Sequence, residues 1–317
     1  MTQYIVRRLL LLIPTVWAVT LVLFVLIRLT PGDPVQIEFG IEATPDQVEA
    51  KRKELGLDRP IAVQYADWVQ RMFRGDFGRS LRARRPVVEE IKERLPATLE
   101  LGLLSFGLGI AIAIPLGTLA AIYRESWFAR LTTLFTLATI AIPGFFFSTM
   151  LIYFFTYRWR VFETPRYVPF TADPVTNLRN IILPTIALSH VTVAIYARFI
   201  RSSVLEVLQQ DYMRTARAKG LSEWVVVARH GLRNAFIPAV TLMGLTLATL
   251  WEGAVITERI FNWPGVGRLS VNALFNRDYP VVQAVVFLAT ISVVLGNLFV
   301  DIAYAYLDPR ISYVRRR

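Results

Sequence analysis

The stretch DYMRTARAKGLSEWVVVARHGLRN, residues 211–234, is a polar and basic segment between two long apolar runs. Its pattern predicts two short helices, 212–219 and 223–232, with Gly220 between them. A glycine suits the left-handed residue that closes a helix, and Ser222 can cap the helix that follows. The stretch therefore predicts a helical hairpin. Because a short polar loop would suffice to join two membrane spans, we expect the hairpin to be a docking site; a solvated basic loop is the alternative.

The composition of the whole chain is that of a membrane protein. Over 317 residues, 54% are hydrophobic and the mean hydropathy is +0.45, well above what a soluble domain needs to fill its core. The formal charge of +11 lies at the edges of the apolar runs, which does not favour a nucleic-acid partner. We predict an all-α integral membrane protein.

The residue types that support catalysis are scarce. The chain has no cysteine and only two histidines, His190 and His230, and no phosphate-cradling G-x-x-x-x-G-K-[ST] loop. We therefore expect no metal site, no cofactor and no enzymatic activity on this chain, and we expect any ATP to be bound by a partner.

Six apolar runs approach the length of about 20 residues that a helix needs to cross a bilayer. A cleavable signal peptide is the alternative for the first run, but that run is long for one and no small-x-small site follows it. Residues 1–30 would form the N-terminus and first transmembrane helix, 31–96 a small helical cap, and 97–317 a core of five further spans that includes the loop 211–234. The six runs are 9–29, 97–122, 131–155, 181–200, 235–256 and 281–307.

The distribution of basic residues predicts the orientation. The short segments assigned to the inside carry 14 Lys and Arg residues, against 7 in those assigned to the outside. Both termini and the hairpin are then cytoplasmic, and the cap is extracytoplasmic. The cap carries twelve basic and twelve acidic residues; it is either a packed lid or a surface that receives substrate.

Two groups of residues are candidates for transport itself. Ionisable side chains within spans are costly and usually face a cavity or a partner; Glu252 lies deepest, and His190 lies midway along the fourth span, where a structural histidine is the alternative. The loop 257–280 is rich in aromatic and glycine residues and should be ordered at the membrane interface. Its candidate gate or binding-protein contacts are Phe261, Trp263, Pro264, Gly265 and Gly267.

The hairpin resembles the Glu-Ala-Ala (EAA) loop of ABC-transporter permease subunits, with Arg and Thr in place of the Glu and the first Ala. The form RTARAKGL, residues 214–221, is typical of the dipeptide/oligopeptide importer branch, and the chain looks like its B-type subunit. Six further motifs look like signatures of the same branch: GLDRPIAVQY (56–65), GDFGRSL (75–81), ERLPATLELG (93–102), ERIFNWPGVGRL (258–269), NRDYP (276–280) and YLDPRI (306–311).

This resemblance implies a permease in the cytoplasmic (inner) membrane of a prokaryote. Its partners would be a homologous second permease, two ATP-binding subunits that bind ATP and Mg, and an extracytoplasmic substrate-binding protein. The solute would be a dipeptide or oligopeptide, or alternatively a nickel chelate, glutathione or an oligosaccharide. A stand-alone secondary carrier and an intramembrane enzyme are less well supported by the residues. The coupling residues implied by the resemblance are Arg214, Thr215, Ala216, Gly220 and Leu221.

Overall fold

The computed structural model describes residues 2–29, 44–54, 56–164, 166–248 and 250–307. Within these ranges the regular structure is helical, apart from one isolated bridge between Arg79 and Pro86. A helix satisfies its backbone polar groups internally, which is the condition for a chain in lipid. The helices of the first half are α1 (Thr2–Leu29), α2 (Pro45–Glu54), α3 (Ile61–Phe73), α4 (Val87–Ile122), α5 (Trp127–Ala141) and α6 (Gly144–Leu151), which continues as a π-helix (Ile152–Arg158).

The second half begins with the long helix that leads to the hairpin. After the hairpin turn, a π-helical segment, Val226–Leu232, joins the helices Glu223–Val225 and Arg233–Ala248 with no non-helical residue between them. The helices are α7 (Pro174–Leu208), α8 (Asp211–Ala218), α9 (Glu223–Val225), α10 (Arg233–Ala248), α11 (Leu250–Ile260), α12 (Val266–Phe275) and α13 (Tyr279–Leu307).

Several helices are suited to a bilayer by length and composition. α4, α7 and the part Tyr279–Leu298 of α13 are long and apolar enough to cross a membrane, and α5 with its bent continuation is a fourth candidate. α1 and α10 carry shorter apolar stretches, Leu10–Leu26 and Pro238–Leu247. The all-helical architecture agrees with the sequence, while the number of six spans stays a prediction.

The span expected over 131–155 is broken rather than straight. α5 and the helical segment Gly144–Arg158 meet at an angle of 100°. Pro143 has no N–H to give to a helix and disfavours helical geometry at the residue before it. Ile142 accordingly has an extended conformation, with ψ 119°.

Close packing between α4 and α7 fixes their relative direction. A Cβ on Gly109 would lie 2.7 Å from Thr192 Cγ2, and one on Gly117 would lie 3.1 Å from Ile200 Cβ. Glycines allow this approach of helix backbones, as is common in membrane proteins. Residue numbers increase in the same direction along both helices at these contacts, so α4 and α7 are parallel.

The molecule therefore has two ends, which we call the hairpin end and the cap end. The hairpin follows α7, and at that end Arg201 Nη1 donates a hydrogen bond of 2.9 Å to Thr133 Oγ1 in the first half of α5. At the opposite end, where α4 and α7 begin, Trp263 Nε1 donates to the carbonyl oxygen of Ala97.

The cap helix α3 packs on α1 at the cap end. α3 contacts α1 through the pair of Tyr65 Oη and Thr20 Oγ1, which are 2.8 Å apart, and through the rings of Trp68 and Phe24. The cap joins the membrane core without a break, because α4 runs without interruption from Val87 into the second predicted span.

Candidate coupling hairpin and cap-end loop

The hairpin has the turn that the sequence predicts. α8 ends at Ala218, and Gly220 has a φ of +76°, the left-handed region that favours glycine. A Cβ on Gly220 would meet no atom within 4 Å, so a substitution there would be opposed by the backbone conformation and not by crowding.

The second arm of the hairpin differs from the prediction. The expected separate helix over 223–232 consists of α9 and the π-helix, which lead directly into α10. Pi-helical turns are rare and are frequent at functional sites. No non-helical residue therefore separates this arm of the hairpin from α10.

The inner face of α8 holds the hairpin on the end of α7. Met213 is fully buried and Ala216 nearly so, and both pack with Val226 and with the α7 residues Val207 and Leu208. These apolar contacts fix the position of α8 and leave its opposite face exposed.

The outer face contains most of the coupling residues that the resemblance implies. Arg214, Thr215, Gly220 and Leu221 are exposed, whereas Ala216 belongs to the buried face and can act only by positioning α8. The side chain of Trp224 is 73% exposed, the kind of large aromatic surface that is enriched at protein interfaces. The sequence reasoning did not single out Trp224, although an indole in a polar hairpin is a usable signal.

The five aromatic, proline and glycine residues singled out in the loop 257–280 are mostly buried. Phe261, Trp263, Gly265 and Gly267 are buried and Pro264 is half-buried. The loop is therefore ordered, as expected. Its role as a gate or as a binding-protein contact stays a prediction.

Glu258 organises this loop and was missed by the sequence reasoning. Its side chain is fully buried, and its carboxylate accepts hydrogen bonds from Thr98 Oγ1 (2.7 Å) and from the backbone N–H of Arg268 (2.8 Å). The N–H of Val266 donates to Thr98 Oγ1. Glu258 thus connects α11, the first turn of α12 and the part of α4 around Thr98.

The glycines of the loop make room for this carboxylate. A Cβ on Gly265 would overlap the carboxyl group of Glu258, and one on Gly267 would lie 2.7 Å from Val255 Cα. Glu258 lies beyond the predicted span 235–256. The pKa of its carboxyl group is raised, because the effect of burial is larger than the opposite effect of the hydrogen bonds from Thr98 and from the backbone. A glutamate followed by G-x-G seven residues later is the signal that could have pointed to the contact.

The two candidate path residues lie in different surroundings. His190 is half-buried on α7; its Nδ1 is 2.6 Å from the carbonyl oxygen of Ala187, and its ring stacks on Phe147 with centroids 4.5 Å apart. Gly144 lies beside the same ring, so His190 packs against the bend between α5 and α6. Glu252 lies on α11, and its side chain is outside the described part of the structure.

Comparison with known proteins covers nearly the whole chain. The family described as "Binding-protein-dependent transport system inner membrane component" matches residues 113–313, and its N-terminal counterpart matches residues 1–102. The chain is 41% identical over 313 residues to the "Glutathione transport system permease protein GsiC" of Escherichia coli (strain K12) and to that of Shigella dysenteriae serotype 1, with 99% of this chain and 100% of each relative covered.

Among solved structures, a similar fold occurs in one titled "Crystal structure of an amino acid ABC transporter with histidines". The TM-score is 0.50 at 12% identity, with 69% of this chain and 94% of the other chain covered. At that identity the likeness concerns the fold alone.

Proposed function

Since the chain belongs to the family of binding-protein-dependent transport system inner membrane components, we propose that it forms half of a path by which small peptides cross the membrane. It is the permease subunit of an ABC importer and a multi-pass protein of the inner membrane. The family component is a permease and is not itself catalytic.

The observation that carries the choice of solute is the identity of 41% along the full length of a glutathione transport permease. Glutathione is a tripeptide with two free carboxyl groups. A solute of that size agrees with the resemblance of the chain's motifs to the dipeptide/oligopeptide branch. Glutathione and peptides of two or three residues are therefore the first solutes to test.

The energy for transport would come from two ATP-binding partner subunits, which would bind the ATP and Mg. The exposed face of the hairpin, with Arg214, Thr215, Leu221 and Trp224, is the surface that we assign to one of them. The second ATPase would dock on a homologous second permease chain, and the path would lie between the two permeases. Glu252 and His190 remain candidates for its lining.

The cap end would face the extracytoplasmic side, where a substrate-binding protein delivers the solute. The loop held by Glu258 and Trp263 lies at that end, as a closed element between α11 and α12. We assign it the role of an outer gate that stays closed in the conformation described.

Reconstitution tests the proposal. The chain would be purified with a second permease, the ATPase subunits and a binding protein, and vesicles would be assayed for ATP-dependent uptake of labelled glutathione, a dipeptide and a nickel chelate. Uptake of glutathione or the dipeptide is expected. ATP-driven uptake of the nickel chelate alone would keep the importer but contradict the peptide substrate.

A further inference from the structure

Arg201 joins three helices at the hairpin end. It lies on α7, about two turns before that helix ends at Leu208. Its Nη1 donates a hydrogen bond of 2.9 Å to Thr133 Oγ1 on α5, and its Nε donates one of 3.4 Å to the carbonyl oxygen of Ala120 on α4. We call these two hydrogen bonds the arginine clasp.

The contact with α4 serves a carbonyl at the end of that helix. α4 ends at Ile122, so the Ala120 carbonyl is among its last four, which have no partner within the helix. The helix dipole also favours a cation at this end. A guanidinium carries five N–H donors in a planar fork and can therefore bind this carbonyl and the Thr133 hydroxyl at the same time. Arg201 thus holds the end of α4 and the first half of α5 together.

The packing of α5 explains why a directional bond is needed there. The large side chains of Leu134 and Phe135 are exposed. The side chains that α5 buries are small: Ala129, Thr132, Thr136 and Thr139. Small side chains make a shallow contact, in which helices interlock less than they do through ridges of large side chains. The hydrogen bond from Arg201 therefore helps to fix the position of α5 along α7.

The clasp is close to the place where the hairpin rests on α7. Met213 of the hairpin packs with Val207 and Leu208 in the last turn of α7. The proline inside α7 is Pro184, more than four turns before Arg201. The part of α7 between Arg201 and the hairpin contact is therefore free of the residue that most often kinks a helix.

We propose that Arg201 is a positioning residue for coupling, which makes α4 and α5 follow α7 when an ATPase displaces the hairpin. This rests on the proposed function, in which ATP-binding partners act through the hairpin. α5 leads into the bend of 100° at Pro143, so the clasp would connect the hairpin to this broken span. The rival is a clasp that only stabilises the fold, and its loss would not change the amount of solute carried per ATP.

The test removes each side of the clasp in turn. Arg201→Met removes the donors and keeps an unbranched stem; Arg198→Met is its control, because Arg198 is an exposed arginine on the same helix. Thr133→Val removes the accepting hydroxyl with little change of shape. Thr149→Val is the control for that variant, because Thr149 is exposed and both hydroxyls donate at 2.8 Å to the carbonyl oxygen four residues earlier.

The readout is the ratio of solute uptake to ATP hydrolysed, measured in vesicles that contain the full complex and its binding protein. We expect the ratio to fall about tenfold in Arg201→Met, because a hydrogen bond from a charged group changes an equilibrium by about that factor or more. It should also fall in Thr133→Val, and in the double variant no further than in Arg201→Met, because both changes remove the same bond. The two control variants should keep the wild-type ratio.

An unchanged ratio in Arg201→Met would overturn the inference while the importer stands, whether both rates stay normal or fall in proportion with a lowered melting temperature. An equal fall in either control, or an unchanged ratio in Thr133→Val, would also overturn it. If Arg201→Met does not assemble, the ratio in Thr133→Val decides. A wild-type complex without ATP-driven uptake would instead overturn the proposed function.

Discussion

Among single residues, Glu258 is the one whose removal should disturb the described structure most. Glu258→Ala would leave the Thr98 hydroxyl and the N–H groups of Gly267 and Arg268 without their acceptor. A buried donor left unpaired costs about 1–3 kcal/mol. We expect the variant to melt several degrees below the wild type in detergent, by intrinsic tryptophan fluorescence.

Glu125→Ala is the control for that experiment, since the Glu125 side chain is 86% exposed and should melt with the wild type. Equal melting of both variants would show that the carboxylate does not hold the loop.

Gly220 and Glu258 show how much of the role of a single residue can be predicted from the sequence. Gly220 was predictable as a left-handed residue, because the signal is local: a glycine after a helical turn that carries a lysine. Glu258 was not, because its partner Thr98 is 160 positions away, and only the fold brings a carboxylate and its donors together.

For the helices, the glycines of α4 offer a matched pair. Gly117→Leu should force α4 away from Ala197 and Ile200 on α7. Gly107→Leu is the control, because a Cβ at Gly107 would meet no atom within 4 Å. Overpacking of a close contact costs about 1–3 kcal/mol. We expect a lower melting temperature and yield for the purified chain only with Gly117→Leu.

A destabilised Gly107→Leu chain, or a Gly117→Leu chain with wild-type melting, would contradict the parallel packing of α4 and α7.

The existence of the helices followed from their apolar runs, but their bends and joints did not. Pro143 predicts a break in the helix, but the angle of 100° depends on the residues that pack around the bend, including His190 and Phe147. The continuity of the hairpin with α10 could not be predicted from the local sequence either. The composition of VVARHGL, which forms the π-helix, does not distinguish a continuous helix from the end of a loop. The sequence was thus sufficient to predict that these segments are helices. How the helices bend and join depends on tertiary contacts that the local sequence does not contain.

For the whole molecule, the orientation is the first property to test. The chain has no cysteine, so Glu49→Cys in α2 and Ser222→Cys in the hairpin can be labelled singly by an impermeant maleimide. The excess of basic residues in the segments assigned to the inside predicts labelling of position 49 from outside and of position 222 only after the cells are opened. Labelling of both from outside would contradict the assigned orientation.

We propose that the hairpin couples ATP hydrolysis on the partner subunit to movement of the membrane helices, and Gly220→Val tests this role. A β-branched residue at this φ costs on the order of 1 kcal/mol or more, and the misdirected turn should disturb α8 without preventing insertion. Gly75→Val is the control, because Gly75 has a φ of +79° at the cap end with no atom within 4 Å of its Cβ. It should carry the same strain and still recover the ATPase subunits on purification.

The deciding measurement is ATP-driven solute uptake, together with binding-protein-stimulated ATP hydrolysis, in vesicles that contain equal amounts of wild-type or Gly220→Val chain. We expect uptake to be lost in the variant while the chain remains inserted, because a coupling element has to keep its angle to transmit motion. Normal uptake with normally stimulated hydrolysis would contradict the assignment of the hairpin as the coupling site.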